Sequence, residues 1–405
     1  MAVTEAGAER TPPWRGGFGR LWTAAVLSRF GDSLRTAALP LLAVSLTDDP
    51  VLIAAVTACG YLPWLLFGLL GGAVADRVDQ RRAMWAVDVA RAVLVAAFAV
   101  AVWAGAASIA LLLTLAFALT TLQTLFDNAA TALLPSVVPT GALGSANARL
   151  MTAQQVAGGL LAAPLVPLLL AVGSAVPYAA DALTYLLAAA LIASLRPNAP
   201  APERPPHPDG STLRAEVAEG LRFLLRDRPL RGLCIATTLC NIGMGALIAT
   251  LVVHVTRWLG AGPGGYVAVV TAFGAGSLAG GLVAARIAVR LGRVRSVAAA
   301  GAVQAVCLAV LGGVRSPVSA VAAMAVFGAM GMVWNVNQAT LVQERGPAPL
   351  LGRISSAFRT LAVAGAPLGA LAGGAAAAAW GPNAAALLAA ALFVPAVASL
   401  APLIN

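Results

Sequence analysis

Long apolar stretches, separated by short clusters of charged residues, proline and glycine, follow one another along nearly the whole chain. Most run for about 20 residues or more, the length that a helix needs to cross the hydrocarbon core of a bilayer. Counting them predicts twelve transmembrane helices, at 19–47, 51–75, 83–105, 108–136, 147–172, 175–195, 230–257, 265–291, 294–313, 317–342, 353–378 and 382–402. The pattern therefore predicts an all-α membrane protein.

The twelve spans divide into six and six around a segment of different composition. Residues 196–212 contain six prolines and cannot form a membrane helix. After them, Ser211 or Thr212 can cap an amphipathic helix. Its apolar face would carry Leu213, Val217, Leu221, Leu224 and Leu225. This helix either docks the two halves together or has a regulatory role.

We therefore predict four parts. They are a cytoplasmic tail at 1–18, a six-helix bundle at 19–195, a cytoplasmic linker with its surface helix at 196–229, and a second six-helix bundle at 230–405.

Composition agrees with a membrane protein. Of the 405 residues 60% are hydrophobic and 10% charged, whereas a soluble protein carries about 25% charged residues. The net charge is +10, and all 26 basic residues are arginine. Positive charge collects on the cytoplasmic side of membranes. With the N-terminus in the cytoplasm, 22 of the 26 arginines, Arg91 included, lie at or near the inner face. This distribution predicts a cytoplasmic-membrane protein with both termini inside and no nucleic-acid partner.

The residue types present exclude several classes of function. Without lysine the chain has no P-loop lysine, so this chain alone does not resemble an ATP-driven pump. Two histidines, four cysteines within apolar spans and scattered acids supply no metal cluster and no catalytic group. We predict no enzyme activity, no metal and no cofactor. The glycines of the eighth span, Gly274 to Gly281, lie inside an apolar helix, which predicts close helix packing rather than a nucleotide loop.

The two halves repeat with an offset of 209 residues. The offset pairs Gly72 with Gly281, Arg77 with Arg286, Arg81 with Arg290, Asp32 with Asn241, and Asn128 with Asn337. Secondary transporters are often built from such repeats, with a pathway between the halves near the bilayer midplane.

A motif after the second span identifies a family. Residues 72–82 read Gly-Ala-Val-Ala-Asp-Arg-Val-Asp-Gln-Arg-Arg. This resembles the loop motif of the major facilitator superfamily, Gly-x-x-x-Asp-Arg-x-Gly-x-Arg-Arg, except that Asp79 replaces the second glycine. The resemblance implies two pseudo-symmetric six-helix bundles and secondary transport. Phe30-Gly31-Asp32, the Ala-Leu-Leu-Pro at 132–135 and Asp181-Ala182 resemble the drug and siderophore exporter branch, which includes enterobactin exporters.

The chain departs from that branch in two places. The fourth span lacks the arginine that many proton-coupled drug antiporters carry there. Residues 158–167 and 365–369 are partial versions of the antiporter Gly-Pro-x-x-Gly-Gly signature.

The loop motif predicts a cytoplasmic latch. An ion-pair network there would stabilise one conformation of the two halves and break in the other. Its members are Gly72, Asp76, Arg77, Arg81 and Arg82. By resemblance to related transporters, Asp127 is the acid that pairs with one of these arginines. Simple anchoring by positive charge is the alternative.

The first span contains the best candidate for proton coupling. Arg29, Asp32 and Arg35 share one helical face, and Asp32 lies midway through the span. An ionisable group at that depth faces a cavity or a charged partner, because lipid cannot solvate it. Proton carriage by Asp32 and a static Asp–Arg pair remain the two interpretations. Asn241, which the offset pairs with Asp32, has an amide side chain and cannot titrate.

The resemblance implies a substrate pocket lined by the first, fourth, seventh and tenth spans. Polar residues in these spans and in the fifth are the candidates: Asn128, Gln155, Asn241, Asn335, Asn337 and Gln338. Hydrogen bonding between helices is the alternative role for each.

The sequence thus predicts a monomeric secondary transporter in the lipid bilayer. It would export small, partly apolar molecules (a drug, a siderophore or a natural product) by alternating access and proton antiport, as multidrug-resistance efflux transporters do. The alternative is an importer or uniporter of a small polar solute.

Overall fold

The computed structural model describes residues 17–75, 79–138, 143–195, 213–347 and 350–403, and its regular structure in these ranges is helical. The helices are α1 Gly17–Leu46, α2 Pro50–Ala75, α3 Gln80–Trp103, α4 Ile109–Val137, α5 Leu143–Val156, α6 Ala163–Val172, α7 Val176–Ala193, α8 Leu213–Arg226, α9 Arg228–Val253, α10 Gly262–Leu291, α11 Arg293–Gly313, α12 Pro317–Arg345, α13 Leu351–Trp380 and α14 Ala384–Ala398. A π-helical turn at Ala157–Ala162 joins α5 to α6, and another at His254–Trp258 extends α9.

The predicted spans are confirmed as helices. Within the described residues, nine helices are long and apolar enough to cross a membrane, and the bent α5–α6 pair makes a tenth. α1 and α2 have 30 and 26 residues and account for the first two predicted spans. The protein is therefore an all-α, multi-pass membrane protein.

The sequence predicted the fifth span as one continuous helix, but the structure divides it into α5 and α6. Its two parts meet at 42°. Pro164 has no N–H to donate to the carbonyl of Leu160, so the regular hydrogen-bond ladder cannot continue there. A π-helical turn that includes Gly158 and Gly159 takes up the irregularity.

The described helices form two compact units. The first contains Met1–Ala38, Leu66–Ala107 and Phe117–Pro205. Its core joins α1, α3, α4 and α7, with buried side chains that include Phe18, Met84, Phe126 and Ile192. The second unit contains Leu39–Leu65, Ser108–Ala116 and Pro206–Asn405. Its main core joins α8 to α14, with buried side chains that include Leu230, Trp334, Phe358 and Leu400.

Glycines allow the closest helix contacts in the second unit. A Cβ atom added at Gly276 or Gly280 of α10 would overlap the carbonyl of Ala325 or Ala329 on α12. Helices in lipid associate largely through such close backbone packing, since lipid tails are as apolar as the side chains. The predicted packing role of the eighth-span glycines is thereby confirmed for these two residues.

α8 packs on α13 within the second unit. Gly220 contacts the backbone of Arg353, and Glu219 forms an ion pair with the Arg353 side chain. Leu224 is buried, whereas the neighbouring Leu225, about 100° further around the helix, is 48% exposed. The predicted apolar face at the membrane surface stays a prediction. The predicted linker, 196–212, lies outside the described residues.

The helix boundaries support the internal repeat. α4 begins at 109 and α12 at 317, α5 begins at 143 and α13 at 351, and α7 begins at 176 and α14 at 384. Each of these pairs differs by 208 positions, and the starts of α1 and α9, α2 and α10, and α3 and α11 differ by 211 to 213.

Candidate functional site

The predicted coupling residue lies where α1 and α7 approach closely. A Cβ atom at Gly31 would overlap Thr184 Oγ1 and come within 2.5 Å of Asp181 Oδ1. Only a glycine at this position leaves room for both side chains. The short motifs Phe30-Gly31-Asp32 and Asp181-Ala182, far apart in sequence, thus meet inside the first unit.

Arg35 joins these two motifs through ion pairs. Its Nη2 lies 2.7 Å from Asp32 Oδ1, and its Nε lies 2.9 Å from Asp181 Oδ2. The Tyr185 hydroxyl donates a hydrogen bond of 2.5 Å to the same oxygen of Asp32. The Arg35 and Asp32 side chains are about one-eighth exposed, and that of Asp181 is fully buried. The Arg35 guanidinium therefore forms ion pairs with two carboxyl groups in an apolar environment.

A second ion pair lies on α3. Arg91 is 1% exposed, and its Nη1 lies 3.4 Å from Oδ1 of the fully buried Asp88. Its Nη2 donates a hydrogen bond of 2.8 Å to Gln123 Oε1 on α4. Gln123 Nε2 in turn donates to Asp127 Oδ1 at 2.7 Å. The network therefore extends from α3 to Asp127.

Two aromatic rings complete the surroundings of Arg91. Its guanidinium carbon lies 5.0 Å from the centre of the Phe126 ring and 5.4 Å from that of Tyr185. Since Tyr185 also bonds Asp32, the α1–α7 cluster and the α3–α4 cluster share this residue. We call the combined set the buried charge network: Asp32, Arg35, Asp88, Arg91, Gln123, Asp127, Asp181 and Tyr185.

The prediction that Arg91 lies at or near the inner face is wrong. This arginine lies eleven positions after Gln80 in a 24-residue helix, so it is not an interfacial residue of the inner face. The positive-inside rule applies to arginines at the membrane surface, and Arg91 is instead paired with a buried acid. Asp88 and Arg91 are the two charged residues of the predicted span 83–105. Their i, i+3 spacing repeats that of Asp32 and Arg35, and this signal could have identified them.

Arg29, the third predicted coupling residue, is separate from these contacts. Its side chain is exposed, and its Nε would lie 3.6 Å from a Cβ atom at Gly158 in the π-helical turn. π-Helical turns occur often at functional sites. The structure thus divides the predicted triad into a buried pair, Asp32 and Arg35, and an exposed arginine beside the fifth span.

The predicted latch is described in part. Asp76 and Arg77 lie outside the described residues, and Gly72 is described as part of α2 by its backbone alone. Arg81 donates to the carbonyl of Ala193 at the end of α7, a position where a cation favours the helix terminus. The latch itself, with Asp127 as its acid, stays a prediction.

Asp79, which replaces the motif glycine, is the N-cap of α3. Its Oδ1 accepts the backbone N–H of Arg82 at 2.9 Å. The ion pair between the two side chains is 3.8 Å long and exposed, so it contributes little stability. The replacement therefore supplies a helix cap.

The pocket candidates differ in exposure. Asn337 is fully buried, and its Nδ2 donates to Val333 of its own helix. Asn335 is exposed, whereas Gln155, Asn241 and Gln338 are half-buried. Asn128 lies within α4, but its side chain is not described. In the described arrangement Asn337 is a packed residue, and pocket contact by the others stays a prediction.

Another ion pair lies within the second unit. Arg257 Nη2 lies 2.7 Å from Asp48 Oδ1, and Arg257 Nη1 donates to the Asp48 carbonyl at 2.8 Å. Nearby, Gly374 packs on Ala54, and Ala54, Ala58, Ala249 and Ala370 form a small buried cluster.

Repeated apolar helices that contain buried ion pairs are typical of polytopic membrane transporters. The family model of transmembrane secretion effectors matches residues 10–403, and the chain belongs to this family of the major facilitator superfamily. Proteins of this kind, including the relatives below, are transporters rather than enzymes.

One relative is the uncharacterized MFS-type transporter y4rN of Sinorhizobium fredii, which is 28% identical over 86% of each chain. Among solved structures, the nucleoside transporter NupG has a TM-score of 0.75 at 12% identity and covers 96% of this chain and 99% of its own. A bacterial homologue of the iron transporter ferroportin has a TM-score of 0.71 at 14% identity, covering 94% and 98%. These structural likenesses show the major facilitator fold.

Proposed function

We propose that the protein exports small, partly apolar molecules, such as drugs or siderophores, across the cytoplasmic membrane in exchange for protons. It works as a monomer with both termini in the cytoplasm. The secretion family supports the direction of transport. The few polar candidates for the pocket support a partly apolar cargo.

One observation carries the proton coupling: Arg35 is shared by Asp32 and Asp181. Two ionised carboxylates beside one guanidinium leave an excess negative charge in an apolar environment, which is unfavourable. A proton bound to either acid removes that charge and leaves Arg35 with one ionic partner. Binding and release of the proton therefore change the contact between α1 and α7, which is what coupling to a conformational change requires.

Transport into inverted membrane vesicles tests this proposal. With an acidic lumen imposed, dyes, antibiotics and siderophores are screened for accumulation that collapses when the gradient is dissipated. We expect gradient-driven accumulation of at least one partly apolar compound. Asp32→Asn should abolish that accumulation while substrate binding persists. Asp49→Asn, an exposed acid that caps α2, is the matched control and should transport normally.

Two results would contradict the proposal. Accumulation that is insensitive to the gradient would exclude proton antiport. Inward movement of small polar solutes such as nucleosides in right-side-out vesicles, with no export of apolar compounds, would support the alternative importer or uniporter.

A further inference from the structure

We propose that Asp88 of α3 is a second proton-binding carboxyl of this transporter, and that Arg91 changes partner when Asp88 gains or loses its proton. The inference rests on the proton-driven transport proposed above, but it concerns a different helix and a different pair of residues.

Asp88 has little to compensate a negative charge. It is fully buried, its Oδ1 makes one contact of 3.4 Å with Arg91, and its Oδ2 has no hydrogen-bond partner in the structure. Charge-assisted hydrogen bonds are about 2.7–2.9 Å long. Asp32, by contrast, has contacts of 2.7 and 2.5 Å from Arg35 and Tyr185. An ionised carboxylate with so little support is costly in a buried site, whereas a protonated one is neutral.

Arg91 does not depend on Asp88 for its position. The 2.8 Å hydrogen bond to Gln123 is its shortest contact, and the faces of Phe126 and Tyr185 stabilise its positive charge. Its observed geometry is the one expected when Asp88 is neutral. Loss of the proton creates a carboxylate beside Arg91 and draws the guanidinium from Gln123 toward Asp88.

Burial is the main reason for a proton on Asp88, and the positive charge of Arg91 opposes it. Asp32 from α1 and Asp181 from α7 lie within electrostatic range and add negative charge that favours the proton, while Arg35 is already shared between them. From α4, Gln123 and, through it, Asp127 compete for Arg91. Three carboxyl groups on α1, α3 and α7 therefore face two arginines, and one of these arginines is directed toward Gln123.

The exchange has a structural consequence. Protonation forms an O–H bond on Asp88 and removes one negative charge, and Arg91 then binds Gln123 of α4. Deprotonation draws the Arg91 guanidinium toward Asp88 and breaks its hydrogen bond to Gln123, whose side-chain amide also donates to Asp127. Asp127 is also the acid of the predicted cytoplasmic latch, so the proton on Asp88 would influence the latch through two side chains.

Infrared spectroscopy of the purified protein tests the inference without measuring transport. At neutral pH the wild type should show the carbonyl stretch of a protonated carboxyl that exchange into deuterated water shifts. We expect Asp88→Asn to lose this band, and Asp49→Asn to keep it. A band that survives in Asp88→Asn at full strength overturns the proposal.

Thermal unfolding provides the second measurement. Asparagine has the shape of a neutral carboxyl, so Asp88→Asn should unfold at the wild-type temperature if Asp88 is protonated. If Asp88 is an ionised partner of Arg91, the variant will unfold at a clearly lower temperature, and the proposal fails. Arg91→Gln should lower the unfolding temperature in either case and shows that the assay detects a loss in this network.

Substrate-dependent proton release separates this inference from the proposed function. In weakly buffered detergent solution, substrate should displace fewer protons from Asp88→Asn than from the wild type. Wild-type transport that does not depend on the proton gradient would contradict the proposed function. If transport is driven by the gradient but the wild type and Asp88→Asn release equal numbers of protons, the proposed role of Asp88 is wrong and the proposed function stands.

Discussion

At the scale of the residue, the ion pairs at the α1–α7 contact depend on the small size of Gly31. Arg35 reaches Asp32 and Asp181 together because Gly31 lets the two helices approach. The depth of Asp32 and Arg35 in an apolar span was enough to predict a charged partner. The identity of the partner was not predictable, since Asp181 lies on a distant helix and its pairing depends on packing.

Gly31→Ala should therefore weaken an ion pair without changing any charge. The added methyl group overlaps Thr184, so α1 and α7 must separate or Thr184 must turn away from the Asp181 carbonyl that it bonds. We expect a loss of about 1–3 kcal/mol in stability and slower transport. Removing the opposing hydroxyl in Gly31→Ala/Thr184→Ala should restore part of both, since the added methyl group still crowds Asp181 Oδ1. Equal losses in the single and double variants would contradict this explanation, as a double-mutant cycle would show.

At the scale of the element, the helices were predictable and their closest contacts were partly so. Backbone groups in lipid must bond within their own helix, so apolar length alone indicates a spanning helix. The glycines of α10 indicated packing, but the sequence did not identify α12 as the neighbour. The break between α5 and α6 was missed because Gly158, Gly159 and Pro164 fit a continuous apolar span when only hydropathy is counted.

Two adjacent glycines of α10 provide a matched test of helix packing. Gly280→Val would press its side chain into the Ala329 carbonyl, whereas a Cβ atom at the exposed Gly281 would be 3.5 Å from Met332, an ordinary contact. We expect Gly280→Val to lower the free energy of unfolding in detergent by about 1–3 kcal/mol or more. Gly281→Val should unfold like the wild type. Similar behaviour of both variants would indicate that the α10–α12 contact adapts to larger side chains.

At the scale of the whole molecule, the distribution of arginines predicts the orientation. Even without Arg91, 21 of the 26 arginines fall in or near the segments that the sequence predicts to be cytoplasmic. The repeat was also detectable, and corresponding helices of the two halves begin 208 to 213 positions apart. Membership of Leu39–Leu65 in the second unit has no sequence signature, since it depends on small residues such as Ala54 and Gly374 packing together.

Thiol labelling of whole cells tests the orientation. In a variant without the four native cysteines, Asp48→Cys should react with a membrane-impermeant maleimide, because Asp48 is fully exposed in the predicted outer loop. Arg290→Cys, exposed near the end of α10, should react after the cells are lysed. The reverse pattern would place both termini outside.

The ion pair between Asp48 and Arg257 is one of three contacts that this arginine makes with the turn after α1. Arg257 also donates hydrogen bonds to the backbone carbonyls of Thr47 and Asp48, at 3.2 and 2.8 Å. A substitution at position 48 therefore removes the ion pair and leaves the two backbone contacts in place, whereas a substitution at position 257 removes all three. The two partners are thus unequal: the arginine fastens this turn to the π-helical turn after α9, and the fully exposed aspartate adds only a charge that salt screens.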